Sequence, residues 1–123
     1  MKDFIESFLS AVFYRRTIEN QPQVVEKIRE MMKKNSPVAV SGTLLALAGR
    51  TDTTASLYSI KVPTLILVGQ HDNITPPSAA HALKERIPTA ELHVLSNAAH
   101  MSNIENTEEF NRHLLSFLAR LKR

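Results

Sequence analysis

The most restrictive feature of the sequence is a continuous apolar run, Thr64–Val68, which is rich in β-branched residues and is closed by Gly69. Such a run is typical of a strand buried on both faces, as in a parallel sheet. A second strand is predicted at Glu91–Leu95, and the stretch from Pro76 to about Ile87 predicts a helix between them. A strand, a helix and a second strand in this order predict a βαβ unit with parallel strands.

Helices are predicted on both sides of this unit. Asn106, with Glu109 three residues later, has the spacing of a capping box at the start of a last helix. Residues 1–60 contain three segments with apolar residues at helical spacing. We therefore divide the chain into a helical segment at 1–60 and a strand–helix–strand–helix segment at 61–123. The three apolar stripes are Phe4, Ile5, Phe8, Leu9, Val12 and Phe13, then Val24, Val25, Ile28, Met31 and Met32, then Val38, Leu44, Leu45 and Leu47.

The fold class is α/β, but two strands are too few for a stable sheet. A fully apolar parallel strand needs a neighbour on each side, so at least one of the two strands keeps an open edge. An open apolar edge is a site of association. We expect another chain to complete the sheet. Two origins remain open: a fragment of a larger protein, or a piece that pairs with a copy of itself.

Composition excludes several classes of function. The chain has no cysteine, which excludes disulfides, thiolate metal sites and a cysteine nucleophile. The net charge of +3 comes without interleaved aromatic residues or a nucleic-acid-binding motif, so no nucleic-acid partner is predicted. No apolar run is long enough to span a membrane, and acids interrupt the start where a signal peptide needs apolar residues. We expect a cytoplasmic protein without cofactor or metal.

Two loops carry the residues that could perform chemistry. Asp72 follows the first predicted strand and His100 follows the second, at the carboxyl ends where open α/β sheets place their ligands. If the strands are neighbours, the two side chains can meet. An aspartate that accepts a hydrogen bond from one imidazole nitrogen fixes the tautomer, which leaves the other nitrogen free to act as a general base.

The same loops resemble the C-terminal part of the α/β-hydrolase superfamily. The matching stretches are V-P-T-L-I-L-V-G-Q-H-D-N-I-T-P-P (62–77), R-I-P-T-A-E-L-H-V-L (86–95) and A-A-H-M-S-N-I-E-N-T-E-E-F-N (98–111). The resemblance implies that Asp72 is the acid and His100 the base of a catalytic triad, in the order that the family uses. Together with S-G-T-L-L-A-L-A-G-R-T-D (41–52), the stretch around His100 is most similar to 3-oxoadipate enol-lactonases and esterase-like relatives.

The resemblance lacks the nucleophile. None of the ten serines stands in the G-x-S-x-G pattern that the family uses, and the three glycines leave no room for a hidden one. Residues 1–60 are instead similar to the family's helical cap. The chain is therefore interpreted as the C-terminal part of a serine-type hydrolase of esters or lactones. It would contribute the acid and the base to a complementary N-terminal half, and we expect it to be inactive alone.

An alternative of another class stays open: a non-catalytic remnant or association module that dimerises through its exposed strand edge. The other histidines and one further glutamate have no predicted catalytic role. Three histidines, at 81, 93 and 113, are predicted to face solvent, and His71 is expected to shape the turn beside the acid. Glu105 either braces the loop of His100 or simply begins a helix.

Overall fold

A computed structural model describes residues 1–121 of the chain. The final two residues of the predicted segment 61–123 lie outside the described range. No helix within 1–121 combines the length and the apolar character needed to cross a membrane. The elements are α1 (Lys2–Val12), α2 (Arg15–Asn20), α3 (Pro22–Lys33), α4 (Pro37–Ala48), a 3-10 helix (Thr54–Ser59), β1 (Thr64–Gly69), α5 (Pro77–Arg86), β2 (Ala90–Leu95), α6 (Ser102–Glu105) and α7 (Thr107–Leu121).

The two strands form a parallel pair in one register, which confirms the predicted βαβ unit. Thr64 lies opposite Ala90 and Gly69 opposite Leu95, with α5 as the crossover. The first four residues of β1 are only half-buried, however, and full burial begins at Val68. In the described chain β1 is therefore less buried than its apolar sequence predicts, and it pairs there with a single neighbouring strand.

The helical segment and the loop that carries His100 share one apolar core. Ile5, Leu9 and Val12 of α1 pack with Phe13 and with Val25 of α3. Met101, the residue after His100, lies against this cluster. Two of the predicted apolar stripes therefore supply the core. Burial of their side chains fixes the position of the α1–α2 junction next to the loop of His100.

The stripe predicted on α4 is not buried in the described chain. No residue of this helix is buried, and Val38 and Leu45 keep 81% and 74% of their surfaces exposed. The helix carries no charged side chain between Pro37 and Ala48. A helix that is apolar on all sides is normally covered on all sides.

Smaller elements and contacts also differ from the sequence interpretation. The separate α2, the single turn of α6 and the 3-10 helix were not predicted. His81 is exposed as expected, but the rings of His93 and His113 stack with centroids 3.8 Å apart, so these two do not simply face solvent. At the start of α7, the Glu109 N–H donates to Asn106 Oδ1 at 3.2 Å, which is one half of the predicted capping box.

Candidate active site

The carboxylate of Asp72 sits in a turn that saturates it with hydrogen bonds. Its Oδ1 accepts the backbone N–H groups of Ile74 at 2.8 Å and of Thr75 at 2.9 Å. Its Oδ2 accepts the Thr75 hydroxyl at 3.0 Å and faces His100 Nδ1 at 2.9 Å. The side chain is only 5% exposed. The turn at the end of β1 therefore fixes the direction in which this acid points.

His100 presents one nitrogen to the protein and the other outward. Nδ1 lies 2.9 Å from Asp72 Oδ2 and 3.3 Å from the Thr75 hydroxyl. The carboxylate can only accept, so Nδ1 carries a proton, and in the neutral imidazole the lone pair is then on Nε2. No hydrogen bond within residues 1–121 engages Nε2, and the side chain is 36% exposed. The imidazole is thus oriented by its inner nitrogen and is available through its outer one.

The electrostatics favour an ionised acid. Burial by itself raises the pKa of Asp72, but hydrogen bonds from the Thr75 N–H, His100, the Ile74 N–H and the Thr75 hydroxyl outweigh burial. Together they hold the pKa of Asp72 below its ordinary value. A charged carboxylate beside the imidazole stabilises an imidazolium, which a general base needs when it has taken up a proton.

The backbones of the two loops are tied to each other. The Gln70 N–H donates to the Leu95 carbonyl at 2.8 Å, and the His71 N–H donates to the Ala98 carbonyl at 2.9 Å. These bonds extend the parallel ladder past its last pair, Gly69 and Leu95. Asp72 and His100 meet because their two strands are neighbours in register, as the sequence interpretation required.

The helical segment contributes contacts to the site that the sequence did not predict. The ring of Tyr14, in the α1–α2 junction, stacks on His71 with centroids 3.9 Å apart and planes 3° apart. The N–H groups of His100 and Met101 both donate to the carbonyl of Val12, at 3.0 and 3.3 Å. No sequence signal pairs Tyr14 with His71, since 57 positions separate them. His71 therefore does more than shape the turn beside the acid.

The sequence left two interpretations of Glu105 open, and the structure decides between them. Its buried carboxylate accepts hydrogen bonds from the N–H of Ala99, from the N–H of Tyr14 and from the hydroxyl of Thr17. It braces the loop of His100 and does not serve only as a helix entry. A signal was present in the sequence, because an acid stood five positions after the histidine, but nothing in the sequence identified its partners.

The described residues place no serine hydroxyl against His100. The hydrogen bonds of the imidazole within residues 1–121 go to Asp72 and Thr75 alone. In the same range, no three His, Asp or Glu side chains form a group that could hold a metal ion. What the arrangement can do chemically is to accept a proton at Nε2 and to stabilise the resulting imidazolium.

Comparison with known proteins places the chain in a family. The family model described as the alpha/beta hydrolase fold matches residues 1–107. A 3-oxoadipate enol-lactonase of Acinetobacter baylyi is 33% identical over 94 residues, which are 76% of this chain and 34% of that protein. A 2-hydroxy-6-oxononadienedioate/2-hydroxy-6-oxononatrienedioate hydrolase of Pseudomonas putida is 42% identical over 62 residues, 50% of this chain and 22% of that protein.

Solved structures agree with the family model over nearly the whole chain. The thermophilic esterase of Thermogutta terrifontis superposes with a TM-score of 0.92 and 32% identity, over 98% of this chain and 44% of that one. The chain thus spans less than half the length of each of these relatives. Both the α/β class and the partial hydrolase architecture expected from the sequence are confirmed, and the chain belongs to the α/β-hydrolase fold family.

Proposed function

We propose that the chain contributes the acid and the base of a serine-type hydrolase that cleaves carboxylic esters or lactones. One observation carries the proposal: Asp72 Oδ2 lies 2.9 Å from His100 Nδ1, while Nε2 has no hydrogen-bond partner within residues 1–121. An imidazole held in this way is prepared to accept a proton from a hydroxyl placed at Nε2.

In the proposed reaction, a serine outside these 123 residues attacks the substrate carbonyl carbon and gives its hydroxyl proton to His100 Nε2. Asp72 stabilises the imidazolium. The tetrahedral intermediate then expels the alkoxide, or the ring oxygen of a lactone, which takes the proton from Nε2 and leaves an acyl-enzyme. Water attacks the acyl-enzyme with Nε2 as base, and the released serine recovers its proton.

The chain alone is proposed to be inactive. No serine hydroxyl reaches His100 within the described residues, and no G-x-S-x-G pattern occurs in the sequence. General-base catalysis without an activated nucleophile and oxyanion donors provides only a small part of an enzyme's rate enhancement. The complementary half that we propose must supply both.

Esters and lactones are the proposed substrates because the matched relatives include an enol-lactonase and an esterase. A specific observation supports a second reaction class. The hydrolase of 2-hydroxy-6-oxononadienedioate is 42% identical over residues that make up half of this chain. The substrate in its name is an oxo dicarboxylate and contains no ester or lactone. Hydrolysis of a carbon–carbon bond next to the ketone is therefore the second candidate reaction.

The test is complementation. The purified chain is mixed or co-expressed with the nucleophile-bearing N-terminal part of the Acinetobacter enol-lactonase, and turnover of p-nitrophenyl acetate, an enol-lactone and an oxo dicarboxylate is followed. We expect turnover only when both parts are present, and a loss of about a thousandfold or more in His100→Ala. Glu85→Gln, on the exposed side of α5, is the matched control and should retain full activity. Steady His100-dependent turnover by the chain alone would contradict the proposed inactivity.

An association module remains the second candidate function. The described sheet has two strands only, and α4 exposes apolar side chains on all sides. Both features suit a chain that pairs with another copy. Light scattering coupled to size exclusion decides the matter, because a monomer at micromolar concentration would exclude this function.

The proposed partners are a small-molecule substrate and a complementary protein half, not nucleic acid or a membrane. The net charge of +3 is spread over exposed helix faces, where several cations already form ion pairs. We propose a cytoplasmic location, which a fluorescent fusion of the native gene product would test.

A further inference from the structure

The carboxylate of Glu105 is the most deeply placed charge that the proposed reaction does not use. The residue is 8% exposed and ends the single turn of α6. None of the ion pairs formed within residues 1–121 includes it. Burying a carboxylate costs several kcal/mol unless hydrogen bonds compensate for it. A carboxylate at this position therefore needs hydrogen-bond donors, and three are present.

The three donors come from two separate parts of the chain. Oε1 accepts the N–H of Tyr14 at 2.6 Å and the hydroxyl of Thr17 at 2.8 Å, both at the start of α2. Oε2 accepts the N–H of Ala99 at 2.7 Å, in the peptide group directly before that of His100. A single carboxylate thus fixes the spacing between the α1–α2 junction and the backbone beside His100.

A second link runs parallel to this one. The N–H of His100 donates to the carbonyl of Val12 at 3.0 Å, so the same junction also holds the backbone of the base itself. Side-chain bonds determine where His100 Nδ1 points, but the position of its Cα depends on these two backbone attachments. An apolar residue at position 105 could fill the space but could not hold two N–H groups.

We infer that Glu105 is a positioning residue for His100, whose carboxylate holds the loop against the α1–α2 junction so that Nδ1 stays within reach of Asp72. The catalytic part of this inference rests on the proposed function. The contact between His100 Nδ1 and Asp72 that it predicts can be measured without any nucleophile. It also assigns a role to the helical segment, whose junction becomes part of the support of the base.

The chemistry of an amide makes the inference testable. In Glu105→Gln, one of the two carboxylate oxygens becomes an NH2 group, which cannot accept. Because backbone N–H groups approach both oxygens, either orientation of the amide leaves one N–H without its acceptor. Glu109→Gln is the matched control. Its hydrogen-bond donors, the Ser96 N–H and hydroxyl and the Asn106 amide, all bind Oε2, so a single amide oxygen can keep them. Its Oε1 forms the longer ion pairs with Arg112 at 3.5 Å and His113 at 4.0 Å, and no backbone N–H within residues 1–121 depends on it.

The experiment is proton NMR of the purified 123-residue chain with 15N-labelled histidine. The hydrogen-bonded Nδ1 proton of His100 should give a low-field signal, assigned by its loss in Asp72→Asn. We expect Glu105→Gln to raise the exchange rate of this proton with water by about tenfold or more, the size of effect expected from losing a charge-assisted hydrogen bond. Glu109→Gln should leave the exchange rate unchanged.

The possible results separate a positioning role from a merely structural one. If Glu105→Gln lowers the melting temperature but the folded protein keeps the wild-type signal and exchange rate, the inference is overturned. If the variant does not fold, Thr17→Val, which removes one donor to Oε1, should still raise exchange a few-fold. A wild-type rate in Thr17→Val would then overturn the inference, as would a wild-type chain without the low-field signal.

Complementation with the N-terminal half adds a second readout. There, Glu105→Gln should lower kcat about tenfold or more with little change in KM, because it disturbs the base and not the substrate pocket. If complementation fails for every substrate class, the proposed function loses its support while the NMR result still decides the role of Glu105.

Discussion

A Cβ atom on Gly69 would lie 2.1 Å from the carbonyl oxygen of Ala99, because the loop that leads to His100 crosses directly over the end of β1. The carbonyl oxygen of Ala98 would lie 2.6 Å away. Only a residue without a side chain allows the two loops to approach this closely. The contact between Asp72 and His100 therefore depends on the missing side chain of this glycine, whose carbonyl also accepts the Asp72 N–H at 3.1 Å.

Gly69→Ala should destabilise the chain and separate the two loops. Both clashing atoms belong to the backbone, so relief requires the loop to move, at a cost of about 3 kcal/mol or more. Urea unfolding measures the loss. Gly42→Ala is the control, because nothing lies within 4 Å of a Cβ there and the position is inside α4. It should stabilise the chain by about 0.5–1 kcal/mol. Equal stabilities for the two variants would contradict the close approach.

The low pKa of Asp72 predicts a specific pH dependence of stability. A carboxylate whose folded pKa lies below its unfolded value of about 3.9 stabilises the fold above that value. The contribution is lost as the pH falls through the folded pKa. Urea unfolding of Asp72→Asn should therefore show a large deficit against wild type at pH 7 and a much smaller one at pH 3. Glu85→Gln should show no comparable change, and a constant deficit for Asp72→Asn would contradict the prediction.

Thr75→Val should weaken the acid–base pair without removing either member. The hydroxyl donates to Asp72 Oδ2 and lies 3.3 Å from His100 Nδ1, so its loss removes one of the four donors to the carboxylate. We expect a loss of about 1 kcal/mol in stability and about tenfold in complemented kcat. Thr75→Ser keeps the hydroxyl and should stay close to wild type. If both variants behave alike, the hydroxyl has no part in the pair.

The stacked pair of His93 and His113 predicts a loss of stability in mild acid. Burial, then the neighbouring His93 and Arg112, lower the pKa of His113 below its ordinary value, and Glu109 and Glu91 oppose them only in part. The unfolded chain therefore binds a proton more readily than the folded one. The melting temperature should fall as the pH drops from about 7 towards 5. His113→Phe should flatten this slope, whereas His81→Phe, on exposed α5, should not.

The sequence predicted those parts of the fold that depend on local pattern. The apolar run at 64–68 and the second strand at 91–95 predicted the parallel pair, and the positions of Asp72 and His100 at the strand ends followed from it. Both strands were found within a residue of their predicted bounds. A local apolar pattern is sufficient here because the pairing involves consecutive strands joined by one helix.

The rest depends on contacts that no local pattern encodes. Glu105 accepts hydrogen bonds from Tyr14 and Thr17, which lie 91 and 88 positions away in the sequence. Nothing in the sequence around those two residues predicts that they donate to a distant carboxylate. The exposure of α4 was equally unpredictable, since an apolar stripe shows that a helix needs covering but not whether this chain supplies the cover. Long-range hydrogen bonds and the absence of a covering element over α4 both depend on how distant segments pack in three dimensions.

The hydrogen bonds around Asp72 and Glu105 have a consequence for protein engineering. The donors to these two carboxylates come from the start of α2, the turn after β1 and the loop of His100. On the proposed function, these hydrogen bonds make the acid and the base one unit that should be transferable. Joined to different nucleophile-bearing halves, the same 123 residues would supply an identical acid and base, while the new half would determine where the nucleophile and the oxyanion donors stand.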